Sequence, residues 1–199
     1  MVREEGGATA AGTERRARPL RVLGLDPGSR RTGFGVVERS GNTYRSLEHG
    51  VIAPPASLDL PHRLHAIASR AGEVMERVRP DCVAIEEAFY HESVRSTLVL
   101  GHVRGALLVA AIDHGFEVAE YSPREIKMAV AGTGGAAKQQ VEFMVRRMLG
   151  LPAALPADAA DALAVAICHL NRARRAEPAR AAKAAASRLE ALLSRKAAR

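Results

Sequence analysis

Apolar and polar positions alternate in strand-like runs over the first quarter of the chain and then shift to helical spacing. Residues 1–19, MVREEGGATAAGTERRARP, carry no sustained apolar pattern and read as a disordered extension. Three strand-like runs follow at 20–26, 33–39 and about 43–53, the last closed by Ala-Pro-Pro. Between 60 and 79, Leu64, Ile67, Ala68, Ala71, Val74, Met75 and Val78 recur three and four residues apart. That spacing predicts an amphipathic helix, with Pro61 in its first turn and Pro80 ending it. DCVAIEE (81–87) is an apolar run of strand length. A second helix is predicted over about 96–114, ending at Gly115, and FEVAEY (116–121) is another strand. Helices at 123–131 and 138–149 flank the glycine-rich AGTGGAA, and a last helix runs from about Asp158 through AADALAVAICHLN. The order β-β-β-α-β-α-β-α-α-α predicts an α/β fold: a central mixed five-stranded sheet flanked by helices. Its opening strands are antiparallel, and the later ones are reached through helical crossovers.

Composition narrows the setting. With 199 residues, 47% hydrophobic and 26% charged, the chain has the balance of one globular domain. The pattern places that domain at 20–170, between the extension at 1–19 and an Ala/Arg-rich tail at 171–199 that is helical or disordered. Cys82 and Cys168 sit inside apolar segments and read as small core residues. No uninterrupted apolar run approaches the ~20 residues of a membrane span. The first 19 residues lack the apolar middle of a secretory signal, so the expected location is cytoplasmic. The net charge of +7 lies in the tail, where nine Lys/Arg face two acids, Glu177 and Glu190. Such a tail is either a solvated segment or a non-specific tether to phosphate backbone.

Four carboxylates stand where the pattern would otherwise put apolar residues. Asp26 ends the first strand, and Glu86 ends C-V-A-I with Glu87 beside it. Asp158 and Asp161 open the last helix on one face, three residues apart. Each has an ordinary reading: Asp26 as an Asx-turn residue before Pro-Gly, Asp158 as a helix N-cap, Asp161 as a first-turn acid, Glu86 as a solvated strand end. Together they suggest a different one. The first and fourth strands of such a sheet can be neighbours, and a helix packed there would bring all four acids close. Clustered carboxylates stay ionised only around a cation, and hard oxygen donors select Mg²⁺ or Mn²⁺. Two such ions are a usual apparatus for phosphodiester cleavage.

Five blocks, LGLDPGSRRTGFGVV, VAIEEAF, LGHVRGALLVAA, YSPREIKMAVAGTGGAAKQQV and PADAADALAVAICH, together resemble the RuvC family of Holliday junction resolvases. They occur in family order over about 20–170. The resemblance implies an RNase H-like fold and a homodimer. It also implies a Mg²⁺- or Mn²⁺-dependent endonuclease that nicks two like-polarity strands symmetrically across four-way junction DNA, leaving 5′-phosphate and 3′-hydroxyl ends. It puts the catalytic, metal-holding acids at Asp26, Glu86 (rather than Glu87), Asp158 and Asp161, and a base-stacking aromatic at Phe89. Basic residues near the scissile phosphate fall on Lys127 and Lys138, with Ser29, Arg30, Arg95 and Arg104 as further phosphate contacts. The resemblance also implies work alongside the RuvA–RuvB branch-migration motor. Gly101 and Gly105, four apart on the second helix, permit close helix approach and suit a dimer face.

Two other classes remain open on the sequence. The strand-Asp-x-Gly-strand opening also begins the sugar kinases and actin-type ATPases, but those need two copies of the fold and a second phosphate loop. A non-catalytic junction-binding protein of the same fold would have no need of four clustered acids.

Overall fold

Every strand of the sheet has side chains on two faces, and the chain uses the two faces differently. The computed structural model describes residues 18–87, 93–152 and 155–176. Strands β1 (Leu20–Asp26), β2 (Thr32–Ser40) and β3 (Thr43–Ile52) form an antiparallel meander; β4 (Cys82–Glu86) and β5 (Val118–Tyr121) add in parallel on the other side. The order β3-β2-β1-β4-β5 places β1 and β4 side by side at the centre. The mixed five-stranded sheet expected from the pattern is therefore present.

Alternation along β1 sends Leu23 and Leu25 to one face and Val22 to the other. The first face packs Leu23, Leu25, Val36, Val83 and Ile85 against helices α1 (Leu60–Val78) and α2 (Val94–Asp113). The second packs Val22, Val37 and Ala84 against α3 (Pro123–Ala131), α4 (Lys138–Leu149) and α5, described over 157–176. Helix α5 is buried almost all round, from Ala159 through Leu170, as its predominance of Ala, Leu, Val and Ile requires.

The contact between α5 and the sheet is unusually close. A Cβ built on Gly24 would lie 2.0 Å from the Ala162 carbonyl oxygen, and one on Gly33 would lie 1.9 Å from that of Asp158. Gly35 meets the Leu163 side chain and backbone in the same way. These three glycines form a track on β1 and β2, and along it the α5 backbone rests directly on the strands.

Several boundaries differ from the expected ones. Helix α1 ends at a left-handed Arg79 (φ 44°) whose N–H bonds the Met75 carbonyl, one residue before Pro80. The segment read as strand from 116 begins only at Val118. Gly115 (φ 79°) and Phe116, whose N–H bonds the Ala111 carbonyl, still belong to the turn that closes α2. Helix α5 starts at 157, so Asp158 lies inside the first turn and is not its cap. Helix α2 spans Val94–Asp113, close to its expected extent. By length and composition it is long and apolar enough to cross a membrane, alone in this among the described residues. Arg95 and Arg104 break its apolar runs, so no run of that length is visible in the sequence.

Candidate active site

The parallel register pairs Leu25 with Ile85, so Asp26 and Glu86 follow side by side at the carboxyl ends of two central strands. Such ends are where open α/β sheets present their ligand sites. Alternation turns Asp26 to the face of Val22 and Gly24, and Glu86 to the face of Ala84. Both acids therefore point toward α5, and Glu87 falls out of phase. The glycine track brings the first turns of α5 against the same edge, and Asp158 and Asp161 arrive with it. Three separate elements thus deliver four carboxylates to one place.

Their electrostatics reflect that crowding. Burial, then the charges of Glu86, Asp161 and Asp158, push Asp26 up to about 8, against a partial offset from Lys138. Burial, then Asp161, pushes Glu86 up to about 7, while a hydrogen bond with Asp26 and the cations Lys138 and Lys127 pull the other way. Crowding of like charges in a partly buried setting favours a proton on this pair. The two outer acids hold cations. Asp158 Oδ2 accepts from Arg31 Nε at 2.7 Å, and Asp161 Oδ2 accepts from Lys138 Nζ at 2.5 Å. The bond to Asp161 in turn raises the Lys138 pKa.

A cleft of about 210 Å³ opens beside the acids, lined by Glu86, Lys127, Lys138 and Asp161 over an apolar wall of Pro123, Ile126, Val141 and Ala164. Among the described residues, no three acids are already closed into a metal-binding group. The donor set nevertheless fits hard divalent cations. It consists of carboxylate oxygens alone, its inner pair is crowded and partly buried, and its outer pair is held by exchangeable side chains.

The other expected residues are distributed more widely. Lys127 and Lys138 both line the cleft. Ser29 and the exposed Arg30 lie on the β1–β2 turn, next to Asp26 in sequence, and Arg95 is exposed on the first turn of α2. Arg104 pairs with Glu120 on β5, so its charge ties α2 to the sheet. Phe89 lies outside the described residues. Arg31 had not been singled out from the sequence. It touches an acid 127 residues away, and no local pattern announces that.

The raised pKa values of the inner pair predict a pH effect on stability. Acids with folded pKa values above their unfolded ones favour the fold at low pH, and that contribution is lost as pH rises through the folded values. The metal-free protein should therefore lose stability between about pH 5 and pH 8. In EDTA at about pH 8.5, Asp26→Asn should unfold at a higher temperature than the parent, by about 3–8 °C for a gain of about 1–2 kcal/mol. Thermal unfolding of both proteins checks this, and a lower melting temperature in the variant would contradict it.

Comparison with known proteins agrees with this geometry. Residues 22–169 match the family described as crossover junction endodeoxyribonuclease RuvC. The chain is 46% identical over 152 residues to the RuvC endodeoxyribonuclease of Trichlorobacter lovleyi, covering 76% of this chain and 85% of that one. It is 49% identical over 152 residues to that of Bordetella parapertussis, covering 76% and 84%. Among solved structures, Thermus thermophilus RuvC bound to a Holliday junction substrate superposes with a TM-score of 0.74 at 39% identity, over 78% of this chain and 96% of that one. The RNase H-like fold of that protein is the fold of this chain.

Proposed function

Because the chain belongs to the RuvC family of crossover junction endodeoxyribonucleases, we propose that Asp26, Glu86, Asp158 and Asp161 are the residues that cut. The activity is Holliday junction resolution, the hydrolysis of phosphodiester bonds at a four-way DNA junction. The convergence of four acids from β1, β4 and α5 carries the assignment of the site. The four would hold Mg²⁺ or Mn²⁺, two ions per site, which when bound supply an activated water and neutralise the leaving oxygen. The remaining work falls to side chains of the cleft. Lys138 and Lys127 offer ammonium groups to the scissile phosphate from its wall. Ser29 and Arg30 contact the backbone from the β1–β2 turn, and Arg95 does so from the start of α2. Phe89 stacks on a base near the opened crossover.

Two strands must be cut, so the reading calls for two sites. Exposed Val94, Leu98, Val109 and Ile112 lie with Gly101 and Gly105 along one stripe of α2, at spacings of three and four. A Cβ built on either glycine would meet no atom of another element within 4 Å among the described residues, so a second helix can approach closely. This stripe is the homodimer face, and an isologous pairing there sets the two sites for strands of like polarity. Leu98→Asp should shift the protein from dimer to monomer in sedimentation and replace paired nicks with single ones. A variant that stays dimeric would move the interface elsewhere. Association with the RuvA–RuvB motor rests on the family likeness.

The function is tested with a synthetic four-way junction, incubated with and without Mg²⁺ beside a linear duplex of the same sequence. Symmetric, religatable nicks in the junction alone, and only with Mg²⁺, are expected. Equal cutting of the linear duplex, or cutting in EDTA, would overturn the reading. Hydrolysis of ATP without nicking would favour the phosphotransfer alternative.

A further inference from the structure

We infer that Arg31 is a positioning residue: an internal counter-cation that holds Asp158 in the DNA-free protein and competes there with the divalent ion. The inference rests on the reading of Asp158 as a metal-holding acid. The backbone fixes where Arg31 can be. Thr32 Oγ1 donates to the Gly28 carbonyl at 3.2 Å, closing the turn after Asp26. A Cβ on Gly28 would lie 2.0 Å from the Arg31 carbonyl oxygen, so the turn is tight enough to require glycine there. Two residues further on, Gly33 rests on the Asp158 carbonyl. Arg31 is thus pinned between a tight turn and the first turn of α5. From there its Nε donates to Asp158 Oδ2 at 2.7 Å.

The pair is built to exchange. The Arg31 side chain is 57% exposed and that of Asp158 31%, which puts the contact in the weak, screened class of ion pairs. A dication close to several carboxylates outcompetes one guanidinium. The guanidinium, always charged and suited to phosphate oxygens, is then free for the DNA backbone that approaches the acids. Lys138, from the start of α4, stands in the same relation to Asp161. The four acids therefore keep two built-in cations when no metal is bound. Arg31 is the member of that set that the β1–β2 turn supplies.

The test reads metal uptake, separately from catalysis. Mn²⁺ binding to the DNA-free dimer is followed by electron paramagnetic resonance in the parent, Arg31→Gln, Arg31→Lys and Asp158→Asn. Arg31→Gln should bind Mn²⁺ about two- to fivefold more tightly, the range an exposed ion pair commands, and Arg31→Lys should stay near the parent. Junction binding by Arg31→Gln should lose about one unit of slope in log affinity against log salt, as for one phosphate contact. Unchanged or weaker Mn²⁺ binding in Arg31→Gln, while Asp158→Asn loses it, overturns the role of Arg31 alone. Parent-like Mn²⁺ binding in Asp158→Asn overturns the site reading and this inference with it. An unchanged salt slope overturns the transfer to phosphate.

Discussion

Asp26→Asn should reduce nicking of a four-way junction by about 10³-fold or more, since each 1.36 kcal/mol of lost transition-state stabilisation is tenfold, while junction affinity stays within about twofold of the parent. The substitution keeps size and hydrogen-bonding shape, so the fold is preserved and melts no lower. It removes the innermost acid, the one that both burial and its neighbours mark as most in need of a cation. A carboxamide is a poor ligand for a hard dication and cannot hold charge near the phosphate. Affinity for the junction comes from cations reaching the backbone, and none of those is altered. Single-turnover nicking and a mobility-shift titration measure the two quantities separately. Cleavage within tenfold of the parent would remove Asp26 from the reaction, and a parallel loss of binding would point to misfolding.

Gly24→Ala should cost about 3 kcal/mol or more, the upper end of what an overpacked core suffers, with a fall in melting temperature of about 6–12 °C. The new methyl would lie 2.0 Å from the Ala162 carbonyl oxygen and 2.7 Å from the Ala166 nitrogen. Both are backbone atoms of a helix, so no side-chain rotation relieves the clash. Helix α5 must lift, and Asp158 and Asp161 move away from Asp26 with it. The variant should therefore also lose nicking beyond what its unfolded fraction explains. Thermal unfolding alongside cleavage at low temperature checks both, and a Gly24→Ala protein as stable and active as the parent would show that α5 does not rest on that strand.

The sequence made one layer of the site plain and hid the next. Asp26 and Glu86 were legible because each ends an apolar run, and the family resemblance, not the pattern, separated Glu86 from Glu87. Asp158 and Asp161 were legible because an otherwise apolar helix has no surface use for them. What brings the two pairs together was not legible. Gly24, Gly33 and Gly35 look like ordinary strand glycines until α5 is laid across them, although an isolated strand glycine is itself a hint of close backbone approach. Arg31 was passed over for Arg30 because local sequence does not show which of two adjacent arginines turns toward a helix 127 residues away. The length of α2 was legible, but the partner of Arg104 was not, since Glu120 meets it only in the fold. Phe89 rests on the family likeness, since it lies outside the described residues.

The account turns on whether these carboxylates hold the ions that cut. Mn²⁺ bound to the protein–junction complex can be counted by electron paramagnetic resonance, using a junction with non-hydrolysable linkages at the cut sites and subtracting the ions held by DNA alone. About two protein-dependent Mn²⁺ per subunit are expected for the parent, as for a two-ion phosphodiesterase site, and Asp26→Asn should lose at least one of them. Equal Mn²⁺ uptake by parent and variant would contradict the assignment.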